Sequence, residues 1–171
     1  MFSWTISGCG ELITALLEPI RPDGPLIPVN TASSSVNSDN VTAYGLFVEH
    51  LQGFQTLWLG NEGAVYFYQS ECPYDVPNQA SWTQNGENGY PSYQIGGSVT
   101  SHTGEGIGIY CNFNNVIHLN NAIETPSASG IKINHLVTIW LNGAAGSSID
   151  HIINGNGAAV TKDSIMSTST D

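Results

Sequence analysis

Positive charge is nearly missing from this chain. Lys and Arg number 3 against 14 Asp and Glu in 171 residues, which sets the formal net charge at −11. Phosphate backbones and anionic lipid surfaces repel such a surface, so nucleic acid and membrane partners are not expected. Uronate-rich polysaccharides are disfavoured for the same reason, because Arg21, Lys132 and Lys162 form no basic cluster to hold them. Cysteine is scarce as well. Cys9, Cys72 and Cys111 lack the CxxC spacing of a zinc or thioredoxin-like site. Cys111 lies in an apolar run, so a buried thiol is its expected state, with a Cys72–Cys111 bridge as the alternative. No Asp-x-Asp-x-Asn-Gly loop, no Gly-x-Ser-x-Gly elbow and no motif tying a histidine to a serine or thiol is present. Neither a metal nor a cofactor is expected. Long apolar runs are also lacking: residues 12–17 are too few for an export-signal core or a membrane span, and no basic segment precedes them.

Short apolar runs separated by Gly, Asn, Ser and Pro are what the chain has instead. Residues 10–17 read as a short helix ended by Pro19, followed by an extended connector with Pro22, Pro25 and Pro28 and a Ser/Asn-rich loop to residue 40. From residue 43 onward, runs at 45–50, 55–59, 64–69, 92–95, 106–113, 116–119, 130–133, 137–141 and 151–153 read as strands, with no helical period after residue 20. The expected division is an extension over 1–40, a β domain over 41–160 and a flexible tail over 161–171. Two all-β architectures compete. Asn-Gly pairs at 85, 88, 142, 154 and 156 would suit the hairpins of an antiparallel β-sandwich. Runs recurring at about 20–25 residues would instead suit a right-handed parallel β-helix of the pectate-lyase-like kind. The recurrence favours the β-helix.

Glu49 and Glu71 stand 22 residues apart, each at the end of a strand-forming run. One turn of a β-helix would stack them at the strand spacing of roughly 4.8 Å. Phe47 shares the parity of Glu49, and Phe67 that of Gln69 and Glu71, so regular strands would project all five from one face. Paired carboxylates flanked by aromatic rings suit glycoside hydrolysis, one as acid for the leaving oxygen and one to direct water or attack. Ordinary surface charge is the competing reading. Tyr74, Asp75, Trp82 and Tyr90 lie on the loop after Glu71, where aromatics would either wall a sugar site or pin the loop to the core. His102 and Glu105 precede a later strand and are candidates for lining the same cleft. Trp58 and Trp140 read as core, and His50 should point away from Glu49 into the interior.

The words Val48-Glu49-His50 and Tyr66-Phe-Tyr-Gln-Ser-Glu71-Cys-Pro-Tyr74 resemble the paired motif in the C-terminal β-helix of glycoside hydrolase family 55, the β-1,3-glucanases. They are more similar still to a fungal and actinobacterial branch whose members carry the label coagulation factor 5/8 type. The resemblance runs from about residue 43 to 156. It implies an inverting exo-enzyme on neutral β-glucan, with Glu71 as general acid and Glu49 positioning water. Gln69, Tyr74, Asp75, Trp82, His102 and Glu105 are offered as sugar contacts from their own places in the sequence. The resemblance implies an extracellular location as well. Cys72 stands where threonine is more usual, and Asp75-Val76 where Tyr-Gln is. Family members have two β-helical domains over several hundred residues, so this chain reads as a fragment. The second reading is therefore a noncatalytic β-solenoid that binds glycan or pairs with another copy through the ends of its stack.

Overall fold

The computed structural model describes residues 33–170 together with the two strands Trp4–Ile6 and Gly10–Leu17. The proline-rich connector and Cys9 lie outside the described residues. The elements in chain order are β1 (Trp4–Ile6), β2 (Gly10–Leu17), β3 (Ser34–Val36), β4 (Val41–Glu49), β5 (Thr56–Trp58) and β6 (Gly63–Glu71). A single 3-10 turn (Gln79–Ser81), β7 (Thr83–Gln84), β8 (Glu87–Asn88) and β9 (Tyr93–Ile95) follow. β10 (Ser101–Cys111), β11 (His118–Glu124), β12 (Gly130–Trp140), β13 (Ser148–Ile153) and β14 (Met166–Ser169) complete the chain.

The chain passes back and forth between two six-stranded sheets, β1-β3-β5-β9-β11-β13 and β14-β12-β10-β6-β4-β2. Their pairings are parallel, apart from β14 against β12. This is a parallel β-helix, and the sandwich alternative fails on strand direction. Two Asn-Gly signals still mark tight reversals: Asn85 and Gly86, with φ of 51° and 88°, join β7 to β8, and Asn154 and Gly155, with φ of 47° and 76°, link Ile153 to Asn156 in an antiparallel bridge. The helix expected over residues 10–17 is β2, paired with β4 from Gly10↔Val41 to Leu17↔Val48. A short apolar run has no period of its own to defend, so pairing with a neighbouring rung decides its form. β1, β3 and β14 likewise join the sheets from outside residues 41–160.

Inward-facing residues stack in columns along the axis. Leu46, Tyr68, Ile107 and Leu136 form one, and Val48, Ser70, Ile109 and Thr138 another. Rung length varies widely: Glu71 lies opposite Glu49 at 22 residues, Tyr110 opposite Glu71 at 39, and Trp140 opposite Cys111 at 29. The uniform repeat read from the sequence thus gives way to rungs that share a register but differ in their loops.

Each long strand of the second sheet bends at one residue. Gly45, Phe67, Gly106 and His135 occupy this position with φ of 64°, 62°, 70° and 54°. The ladder skips all four, resuming on either side. Because pairing continues across the bend, the runs expected separately at 130–133 and 137–141 are the single strand β12.

His102 belongs to the core. It is 1% exposed, its ring packs edge-on against Trp58 at 4.7 Å, and Tyr93 Oη lies 2.9 Å from its Nε2. Gly63, its register partner, makes room, since a Cβ there would come within 2.2 Å of the Trp58 ring. Burial pushes the imidazole down to about 4. A histidine whose folded pKa is depressed stabilises the fold above its unfolded value of about 6.5, and this contribution is lost as pH falls from there towards 4. We expect stability to drop by roughly 3 kcal/mol across that window from this residue. Urea titrations at a series of pH values check this: His102→Gln should flatten the profile, and an unchanged slope would assign the acid sensitivity elsewhere.

Candidate active site

Glu49 and Glu71 end β4 and β6 and lie directly opposite each other in the parallel ladder. The register therefore sets their backbones one strand spacing apart, about 4.8 Å. Both side chains project outward, along with Phe47 and Gln69, as strand parity predicts, while Phe67 is exposed at the left-handed bend; their inward neighbours Leu46, Val48, Tyr68 and Ser70 are buried.

Different partners hold the two carboxylates. Gln69, two residues back along β6, donates its Nε2–H to Glu49 Oε1 at 3.1 Å. On Glu71, the Tyr74 hydroxyl donates to Oε2, and His50 Nε2 lies 3.3 Å from the same oxygen. The His50 and Tyr74 rings pack edge to face at 4.4 Å, so each fixes the other's approach. Glu49 is thus drawn back along the strand while Glu71 is drawn forward past its end. With its side chain 19% exposed, Glu71 is largely walled in yet still reachable.

His50 corrects the sequence reading, which put it inside. Its φ of 60° breaks the strand alternation immediately after Glu49, and its N–H donates to the Glu71 carbonyl at 3.0 Å. That left-handed step returns the imidazole to the outer side. Parity rules apply only while the backbone stays extended, and nothing local announced the step.

The segment after Glu71 is tied down on both sides. Asn114 N–H donates to Tyr74 O at 2.8 Å, Asn115 Nδ2 to Val76 O at 2.9 Å, and Gln52 Nε2 to Asp75 Oδ1 at 3.1 Å. Tyr74 meets Glu71 through its hydroxyl, and Asp75, the next residue, is held by Gln52. Trp82 is 1% exposed, packs against Phe113 at 5.5 Å and donates its indole N–H to Gln52 O at 2.9 Å. It pins the loop and offers no face to a ligand. His102, buried against Trp58, is excluded as well. Glu105 points outward but stands in register with Tyr66, on the other side of the bend from Glu71, where Asn134 Nδ2 (3.1 Å) and His135 Nδ1 engage it. These two hydrogen bonds hold its carboxyl below the usual carboxylate range. Gln52, Tyr44 and Tyr66 were passed over in the sequence; only the fold shows that they border this face.

Cys72 follows Glu71 but turns inward, as does Cys111 on the next rung, and both are free thiols. Burial pushes the Cys72 thiol up to about 12 and Cys111 higher still. Neither is primed as a nucleophile. Among the described residues no helix is long and apolar enough to cross a membrane.

Comparison with known proteins bears on this geometry. Residues 23–71, which include both glutamates, match the model of the LAM55 pectate lyase-like domain. Over 134 residues the chain is 39% identical to an exo-β-1,3-glucanase of Streptomyces sp. (strain SirexAA-E / ActE), a match covering 77% of this chain and 22% of that protein. The structure of sacteLam55A from Streptomyces sp. SirexAA-E superposes with a TM-score of 0.76 at 36% identity, covering 80% of this chain and 25% of that one. A glutamate-to-alanine variant of sacteLam55A in complex with glucose gives the same values. The chain spans about a fifth of the length of the curated glucanase it matches. Motif, fold and sequence agree that this chain resembles a β-helical part of the glycoside hydrolase family 55 β-1,3-glucanases.

Proposed function

We propose that this chain acts on neutral β-glucan, with β-1,3-glucan the first candidate, through an acid/base pair formed by Glu71 and Glu49. The register pairing of these two carboxylates on adjacent rungs, each steadied by a different set of side chains, carries the reading. Glu71 protonates the glycosidic oxygen, with Tyr74 and His50 fixing the oxygen that does not deliver the proton. Glu49, braced by Gln69, orients water towards the anomeric carbon. An inverting pair holds its carboxyl groups about 6.5–9.5 Å apart and a retaining one about 5 Å, so the configuration of the first product distinguishes the two. The exo-β-1,3-glucanase and the glucose complex among its relatives support a carbohydrate ligand, and the acidic surface suits one without charge. Such a substrate places the protein outside the cell, which recovery from culture medium would test.

The test is incubation with laminarin and other neutral glucans, following reducing ends and recording the first-formed anomer by NMR. Release of α-configured sugar from a β-linked polymer supports the inverting pair, whereas a β-configured product overturns it. A second reading, a glucan-binding solenoid without turnover, draws on the small share of the glucanase that this chain spans. Binding of laminarin with no release from any glucan selects it.

A further inference from the structure

Phe67 is a costly choice that neither packing nor backbone geometry explains. It adopts φ 62° at the bend of β6, a left-handed conformation that disfavours any residue carrying a Cβ. The rungs on either side place glycine there, Gly45 and Gly106. Burial does not compensate, because Phe67 is 62% exposed. Among the aromatic rings of the described residues it meets the edge of Phe47, at 5.7 Å and 74°. A strained, exposed aromatic that persists against both preferences points to use on the surface.

Its surroundings say what that use is. Phe47 lies in register with Gln69, the residue that braces Glu49, so the aromatic surface runs directly into the acid pair. On the other side of the bend the strip continues in Tyr44 and Tyr66, stacked at 5.3 Å with 16° between their planes and both exposed. An apolar wall with hydroxyl groups at its edge, continuous with two carboxylates on a chain of net charge −11, fits a neutral ligand with one apolar face and many hydroxyls. A pyranose ring has that form.

We propose that Phe67, backed by Phe47, is a sugar-stacking residue holding a glucose unit of the glucan beyond those at the acids. The inference rests on the glucan reading above and adds a position to it. Four residues of strand, about 13 Å, separate Phe67 from Glu71, so the unit it holds is not the one undergoing cleavage. Phe67 therefore acts on chain-length preference and on the grip of the polymer, with no part in proton transfer.

Calorimetric binding of laminari-oligosaccharides of increasing length tests this in a Glu71→Gln background, where slow turnover does not distort the titration. Adding Phe67→Gly or Phe67→Asn, two residues that tolerate positive φ, should lower affinity for the longer oligosaccharides by about five- to tenfold, the loss of one aromatic contact. Affinity for glucose and the disaccharide should not change. Tm should stay within about 3 °C, because relief of the left-handed strain offsets the added freedom of the unfolded chain. Equal affinity at every length overturns the proposal while leaving the acid pair intact. An equal loss at every length overturns it too, by showing that the substitution disturbs the acids. If sedimentation shows the Phe67 variants losing self-association with no length-dependent change in binding, the face belongs to a second copy. If Glu71→Gln binds no glucan of any length, the glucan reading itself falls and this proposal with it.

Discussion

Replacing Glu71 by glutamine is expected to slow glucan hydrolysis about 10³-fold while leaving laminarin binding within about a factor of three, because a single general acid is removed with almost no change of shape. The amide keeps an oxygen for the Tyr74 hydroxyl, so the local geometry survives and only the transferable proton is lost. Since the interaction removed is one made in the transition state, kcat falls and KM does not rise. Glu49→Gln should cost a similar factor by leaving the attacking water undirected. Tyr74→Phe should cost less, because His50 still reaches Glu71 Oε2. Initial rates on laminarin with binding measured alongside would decide: Glu71→Gln turning over within tenfold of wild type would remove Glu71 from the mechanism.

Trp82→Ala should have the largest effect on stability. The indole is fully enclosed between the loop and the stack, against Phe113 and Tyr90, and emptying such a site costs about 3–5 kcal/mol from lost transfer energy and the remaining cavity. For a chain of this size that corresponds to a fall in Tm of about 10 °C. The damage should also reach the acids. Trp82 holds Gln52 by its carbonyl, and Gln52 holds Asp75, one residue from Tyr74. Activity at a temperature where the variant is still folded should therefore drop as well. Trp82→Phe keeps most of the packing but gives up the indole hydrogen bond, at a cost of about 1 kcal/mol. Urea unfolding midpoints for the two variants provide the check, and near-equal loss in both would show that the cavity is not what matters.

The two fates of Trp82 and Tyr74 show what the sequence made legible. The glutamate spacing, the neighbouring Phe47 and Gln69, and the strand runs could be read because they obey a two-residue parity that the sequence displays; Phe67 is exposed at the bend, where that parity breaks. Tyr74 was one of the loop aromatics offered after Glu71, and its hydroxyl reaches that carboxylate. Trp82, equally aromatic on the same loop, went inward because Phe113 on a distant segment offered it a pocket, and no local pattern records such a partner. His50 and His102 were misplaced for separate reasons. A left-handed residue swung the first outward, and the missing side chain of Gly63 leaves room for the Trp58 ring against which the second packs. β2 was lost to helix propensity because an eight-residue apolar run takes its form from β4, which no window of eight residues contains.

The stacked bends at Gly45, Phe67, Gly106 and His135 divide labour within the fold. A plain parallel ladder can slip by one residue, exchanging core for surface along the whole strand, but a row of aligned kinks gives every rung a notch that must meet the next. Positions along the strand are then fixed by the notch, and the length of the connecting loops has no say in them. Rungs of 22, 39 and 29 residues can share one alignment for this reason. Loops can lengthen, shorten or be exchanged, altering what surrounds the outward face, while Glu49 and Glu71 stay opposite each other in the ladder. Such a scaffold can change its specificity without renegotiating its chemistry.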